Sequence, residues 1–131
     1  MGVRFMARIL VIEQNVERQH MLKFVLEANG HTVIGSAELT FAWLKLQEKE
    51  NRVDMVVCSC PQEGMAAFLQ NKYRDSRFER LPIIFLMEER KAKNASPELP
   101  PKHVWWVYLT YPLNLDDLMR EVDGLLSRTP C

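Results

Sequence analysis

The sequence predicts an α/β fold: one domain on a five-stranded parallel sheet, with helices on both faces. Apolar runs of strand length alternate along the chain with segments of helical period, the pattern of repeated strand-helix-strand units. The run Val53–Ser59 is mostly apolar in both alternating sets, with Val53, Met55 and Val57 on one side and Val56 and Cys58 on the other. A strand of that kind must be covered on both faces, as in a parallel sheet. A chain of 131 residues, 47% of them hydrophobic, can bury one core and leaves no room for a second domain of ordinary size.

RILVIE is the first strand. A helix follows from about Val16 to Ala28, with Asn15 as N-cap and Met21, Val25, Leu22 and Leu26 as its apolar pairs. Gly30 is placed to end that helix in a left-handed conformation, and HTVIGS supplies a short second strand. Leu39, Ala42, Trp43 and Leu46 mark a second amphipathic helix before the Val53–Ser59 strand. A third helix is expected over about Met65–Arg74, then the polar connection DSRFER, then a fourth strand, LPIIFLM. The stretch Glu88–His103 should hold a fourth helix. It lacks an apolar stripe, and Pro97, Pro100 and Pro101 obstruct helix continuation, so only a short piece near Glu89–Asn94 is expected there. VWWVYL is the fifth strand. The last helix, Leu115 to about Ser127, has Asn114 as N-cap and Asp116 and Asp117 in its first turn, which complements the helix dipole. The domain is therefore expected over residues 7–127, between a lead of residues 1–6 to which no function is assigned and a tail of residues 128–131.

Lys plus Arg and Asp plus Glu balance at 17 each, so no net field favours nucleic acid, an anionic membrane or an acidic substrate. The run Ile9–Ile12 is too short for a signal core or a membrane span. Cys58, Cys60 and Cys131 are an odd count without a secretory leader, the usage expected of reduced thiols in the cytoplasm. A single C-x-C carries little metal-site signal, and His20, His31 and His103 share no ligand spacing. No Gly-rich phosphate loop follows any strand, and no G-x-S-x-G elbow surrounds Ser59. Neither cofactor nor enzymatic activity is expected.

Taken together, RILVIEQN, VDMVVCSCP, LPIIFLM and YLTYPLNLDDL resemble the receiver domain of two-component response regulators, the CheY-like family, over nearly the whole chain from Ala7 to Ser127. The resemblance implies a flavodoxin-like sheet in the order 2-1-3-4-5, with the site at the carboxyl ends of the strands. It also implies an acidic pair after the first strand that holds Mg²⁺, and an aspartate ending the third that accepts phosphate as an acyl phosphate. A small hydroxyl residue at the end of the fourth strand and a lysine at the end of the fifth would bind the phosphoryl oxygens. This chain has Glu13 and Gln14, Ser59, Met87 and Tyr111 at those positions. A hydroxyl cannot form the mixed anhydride, Met87 donates no hydrogen bond to phosphate, and Tyr111 brings no cation. Pro61 and Gly64 follow Ser59 sooner than the family pattern has them, which shortens the loop that lends a carbonyl to the metal. Glu88 and Glu89, just beyond the fourth strand, read as a solvated loop pair. The Tyr111–Pro112 bond matches a Lys-Pro bond that is typically cis in the family, and cis is expected here.

These five residues form a vestigial phosphorylation pocket. The expectation is an atypical, phosphorylation-independent receiver domain, a pseudo-receiver that serves as a protein interaction module in two-component-type signalling. It is read either as a stand-alone adaptor or as part of a longer regulator. Trp105, Trp106 and Tyr108 gather aromatic surface near the fifth strand, on the face where, by the resemblance, receivers dock partners or form homodimers. Tyr108 matches the aromatic that reports phosphorylation in the family. The two tryptophans serve either such an interface or the packing beneath the Pro-rich segment. Two other readings stand beside this one: a switch that senses a small ligand or cation at the altered pocket, and a flavodoxin-like enzyme or nucleotide binder.

Overall fold

The computed structural model describes residues 6–60, 63–88 and 105–128. Pro61, the Glu89–Asn94 piece, Pro97, Pro100, Pro101, His103 and Cys131 lie outside them. In chain order the elements are β1 (Arg8–Ile12), α1 (Val16–Ala28), β2 (Thr32–Ser36), α2 (Leu39–Gln47), β3 (Met55–Cys60), α3 (Met65–Arg74), β4 (Ile83–Glu88), β5 (Trp106–Tyr111) and α4 (Leu115–Arg128). All neighbouring strands run parallel, in the order β2-β1-β3-β4-β5. This is the flavodoxin-like order expected, with four helices among the described residues.

Side-chain alternation divides the core in two. Leu10, Ile12, Val56, Cys58, Ile83, Phe85 and Trp106 pack against α2 and α3, and Ile9, Val11, Met55, Val57, Ile84, Leu86 and Val107 pack beneath α1 and α4. On α4 the inward stripe is Leu118, Val122, Leu125 and Leu126. Each such side chain stabilises the fold by about 1.5–3 kcal/mol through burial.

The helix ends follow the sequence closely. Asn15 Oδ1 accepts the Arg18 N–H at 2.9 Å to cap α1, and Asn114 Oδ1 accepts the Asp117 N–H at 3.1 Å to cap α4. At the other end of α1, Gly30 takes φ 92°. Its N–H donates to Glu27 O at 3.0 Å and the His31 N–H donates to Leu26 O at 3.1 Å, the paired bonds of a left-handed helix stop. The Tyr111–Pro112 bond is cis.

Lys72 on α3 is wholly buried, and its Nζ donates to Glu79 O at 3.1 Å, tying the DSRFER connection to the helix. Burial brings its pKa down to about 8. Phe78 of the same connection meets Trp43 edge to face at 5.7 Å.

Three strands run further than the sequence suggests. β3 continues one residue to Cys60, β4 one residue to Glu88, and β5 two residues to Tyr111. These extensions decide which side chains meet at the carboxyl edge of the sheet.

Candidate functional site

Glu13 follows β1 directly, and its backbone is fixed on both sides. Its N–H donates to Ser36 O at 2.9 Å, and its carbonyl accepts from Gln19 Nε2 at 3.1 Å. Gln19 in turn lies against Gly35: a Cβ there would stand 2.8 Å from Gln19 Oε1, so a larger residue would push the Gln19 amide out of its present place. The Glu13 side chain is buried, 4% exposed. Its Oε1 accepts the Asn15 N–H at 3.1 Å, and its Oε2 has no hydrogen-bond partner among the described residues. Burial raises the carboxyl pKa, the Asn15 N–H and the Arg18 charge oppose that rise, and the Glu88 charge adds to it.

Ser59 is the penultimate residue of β3. Cys58 and Cys60 join the α2–α3 cluster while Val57 joins the α1–α4 cluster, so alternation directs Ser59 to the α1–α4 side. Both flanking thiols are buried, and burial raises their pKa values, that of Cys60 to about 12, which keeps them protonated and unreactive.

Two expectations need correction at the end of β4. Met87 is 5% exposed and belongs to the α2–α3 cluster with Cys60 and Phe85. It is core, not pocket. Glu88 is the last residue of β4, in register with Tyr111, and not part of a solvated loop. It follows Leu86 in alternation onto the α1–α4 side, where the Arg18 guanidinium meets its carboxylate at 3.4 Å.

Tyr111 ends β5 on the same side, half-buried, with a phenol oxygen that has no hydrogen-bond partner among the described residues. The Arg18 Cζ lies 4.3 Å from the centre of its ring. Burial raises the phenol pKa, the Glu13 charge raises it further, and Arg18 opposes both. Gln14 is exposed. The structure thus gathers Glu13, Arg18, Ser59, Glu88 and Tyr111. Arg18 was legible in principle, because it shares the i, i+4, i+8 stripe with the buried Leu22 and Leu26 and so faces the sheet.

The resemblance implies a divalent cation here, and the donor set among the described residues does not fit one. Mg²⁺ calls for hard oxygen donors in near-octahedral geometry, usually with one or two free carboxylates. Glu13 offers one free oxygen, the Glu88 carboxylate is engaged by Arg18, and the Arg18 charge already acts on Glu13. No group of three or more His, Cys, Asp or Glu suited to a metal occurs among the described residues.

On β5, Trp106 is 3% exposed and meets Tyr73 edge to face at 5.5 Å. It is a core residue packed on α3, which argues against its place on the candidate interaction face. Trp105 is half-buried, as is Tyr108, whose ring stacks on Phe85 at 5.2 Å.

No family model matches the chain, and no curated protein matches it. Solved structures do. A response regulator receiver domain from Clostridium thermocellum aligns with a TM-score of 0.77 at 22% identity, covering 94% of this chain and 96% of its own. A chemotaxis response regulator of Vibrio cholerae gives 0.72 at 20% identity, covering 92% and 99%. The receiver domain of a sensor histidine kinase from Pseudomonas aeruginosa, solved with a magnesium ion coordinated in its active-site cleft, gives 0.74 at 19% identity, covering 94% and 99%. The chain has the fold of a receiver domain. None of its described helices is long and apolar enough to cross a membrane.

Proposed function

We propose that this chain is an atypical receiver domain that acts without phosphorylation, as a protein interaction module in cytoplasmic two-component-type signalling, and that it catalyses no reaction. The observation that carries the reading is Ser59 at the carboxyl end of β3, where the fold's phosphoryl chemistry requires a carboxylate. A serine hydroxyl yields at most a stable ester, not the labile mixed anhydride on which that chemistry turns. Its surroundings point the same way, because Tyr111 at the end of β5 brings no cation and Met87 at the end of β4 packs into the core and offers no hydroxyl. Binding would then rest on a preformed surface and not on a phosphate-driven shift between conformations. Trp105 and Tyr108 are the aromatic anchors proposed for that surface, toward a signalling partner or a second copy of the chain.

Incubation with a small acyl-phosphate donor and Mg²⁺, read by intact mass, tests the chemistry. We expect no phosphoryl adduct. A phosphoryl adduct on an aspartyl or glutamyl side chain, labile to hydroxylamine as an acyl phosphate is, would overturn the reading.

One observation favours a second reading, the sensing of a small ligand at the altered pocket: the Glu13 Oε2 and Tyr111 phenol oxygens are buried without hydrogen-bond partners among the described residues. A small polar ligand that satisfied both would raise the melting temperature in a ligand screen.

A further inference from the structure

Arg18 stands among three groups with a claim on a cation. Its guanidinium meets the Glu88 carboxylate at 3.4 Å, lies 4.3 Å from the centre of the Tyr111 ring, and acts on the carboxyl of Glu13 through its charge. Glu13 is 96% removed from solvent and leaves one carboxylate oxygen without a hydrogen bond, so it needs a compensating charge nearby. Arg18 and Glu88 alone, each with a side chain 36% exposed, would make an ordinary surface ion pair of little worth. What distinguishes the arrangement is the ring. A planar guanidinium can stack on Tyr111 with its face while it meets a carboxylate with its edge, which an ammonium cannot do. Arg18 of α1 thus touches β4 and β5 at the carboxyl edge of the sheet and acts by its charge on the turn after β1.

We propose that Arg18 is the resident cation of this site: its guanidinium, held between Glu88 and the Tyr111 ring, supplies the positive charge that balances Glu13 and Glu88, so the pocket takes none from solution. The site is self-occupied by a group of the guanidinium class. Removal of the Arg18 side chain leaves a vacancy shaped for a small planar cation and not for a hydrated divalent ion. This deepens the proposed function at the same site, and it rests on that reading only in treating the pocket as closed to the usual ligands.

The test is chemical rescue in the intact chain. R18A, R18K and the double variant R18A/E88Q are compared with the parent by thermal unfolding in methylguanidinium chloride, with NaCl and MgCl₂ at matched ionic strength as controls. We expect R18A to melt below the parent and R18K to recover little of the loss. Low millimolar methylguanidinium should restore R18A saturably, leave the parent unchanged, and restore the double variant much less. Should R18A fail to fold, R18M, which keeps the aliphatic stem, takes its place with the same outcomes expected. An unchanged melting temperature in R18A would overturn the proposal, as would equal restoration by NaCl or MgCl₂. No phosphoryl transfer or partner binding is read in this experiment, so its failure is separate from any failure of the interaction role.

Discussion

His31 is buried just after α1, where its Nδ1 accepts the Ala7 N–H at 3.1 Å. That bond requires a neutral ring. Burial lowers the His31 pKa below 6.5, and the charge of Asp123 opposes the shift only in part. The unfolded chain therefore binds a proton at a higher pH than the folded one. The contribution of His31 is whole above about pH 6.5 and is lost as pH falls below it toward the lowered folded value. We expect urea denaturation to show stability falling on acidification through this window, with a flatter profile in His31→Gln, whose amide oxygen can still accept from Ala7. At the other end of the sheet, Ser59→Asp would set a second carboxylate beside buried Glu13, on the strand next to β1. We expect a loss of about 1–3 kcal/mol at neutral pH. The loss should shrink as pH falls and one carboxyl takes up a proton, because the folded-state pKa values of such a pair are raised. Denaturation midpoints at neutral and mildly acidic pH check both the sign and the trend.

The caps are the part of the elements most open to measurement. Asn114 Oδ1 holds the Asp117 N–H at 3.1 Å at the start of α4, the helix whose inward stripe closes the sheet on the β5 side. Asn114→Ala should cost about 1 kcal/mol with an unchanged denaturant slope. Such caps, and the helical stripes behind them, were legible because each is a local pattern: Asn15 and Asn114 precede periodic segments, and Gly30 follows one. The carboxyl ends of the strands were not legible in the same way. β4 is apolar on both faces, so Leu86 and Met87 look alike in sequence, and nothing local shows that Met87 packs toward α3 while Glu88 takes the pocket side. Arg18 has the reverse history. Its stripe position beside Leu22 and Leu26 pointed inward, but a charged residue near a helix start reads as solvated until the ring of Tyr111, from the far end of the chain, comes to lie under it.

For the molecule as a whole, the fold places the carboxyl ends of its strands together at one edge, and in this chain that edge is filled from within. A buried glutamate, a serine, an arginine-bound glutamate and a tyrosine stand there, with no net charge on the chain to draw an ionic ligand from a distance. Trp106 of β5 anchors the sheet to Tyr73, while Trp105, just before the strand, and Tyr108 within it remain half-exposed. If they form the docking surface, Trp105→Ala and Tyr108→Ala should weaken partner binding or self-association in chains that still fold, with a smaller stability loss than Trp106→Ala because both are only half-buried against the core. Trp106→Ala, which empties the core, should cost about 3–5 kcal/mol.

The most direct test of phosphorylation-independent action is an amide-resolved NMR titration of the chain with Mg²⁺ and then a beryllofluoride phosphate mimic, following Glu13, Ser59, Glu88, Tyr108 and Tyr111. The account predicts no saturable change at any of the five. Saturable shifts at Glu13 and Ser59 that spread to Tyr108 would contradict it, because the pocket would then still bind a phosphoryl group and pass the event to the far side of the sheet.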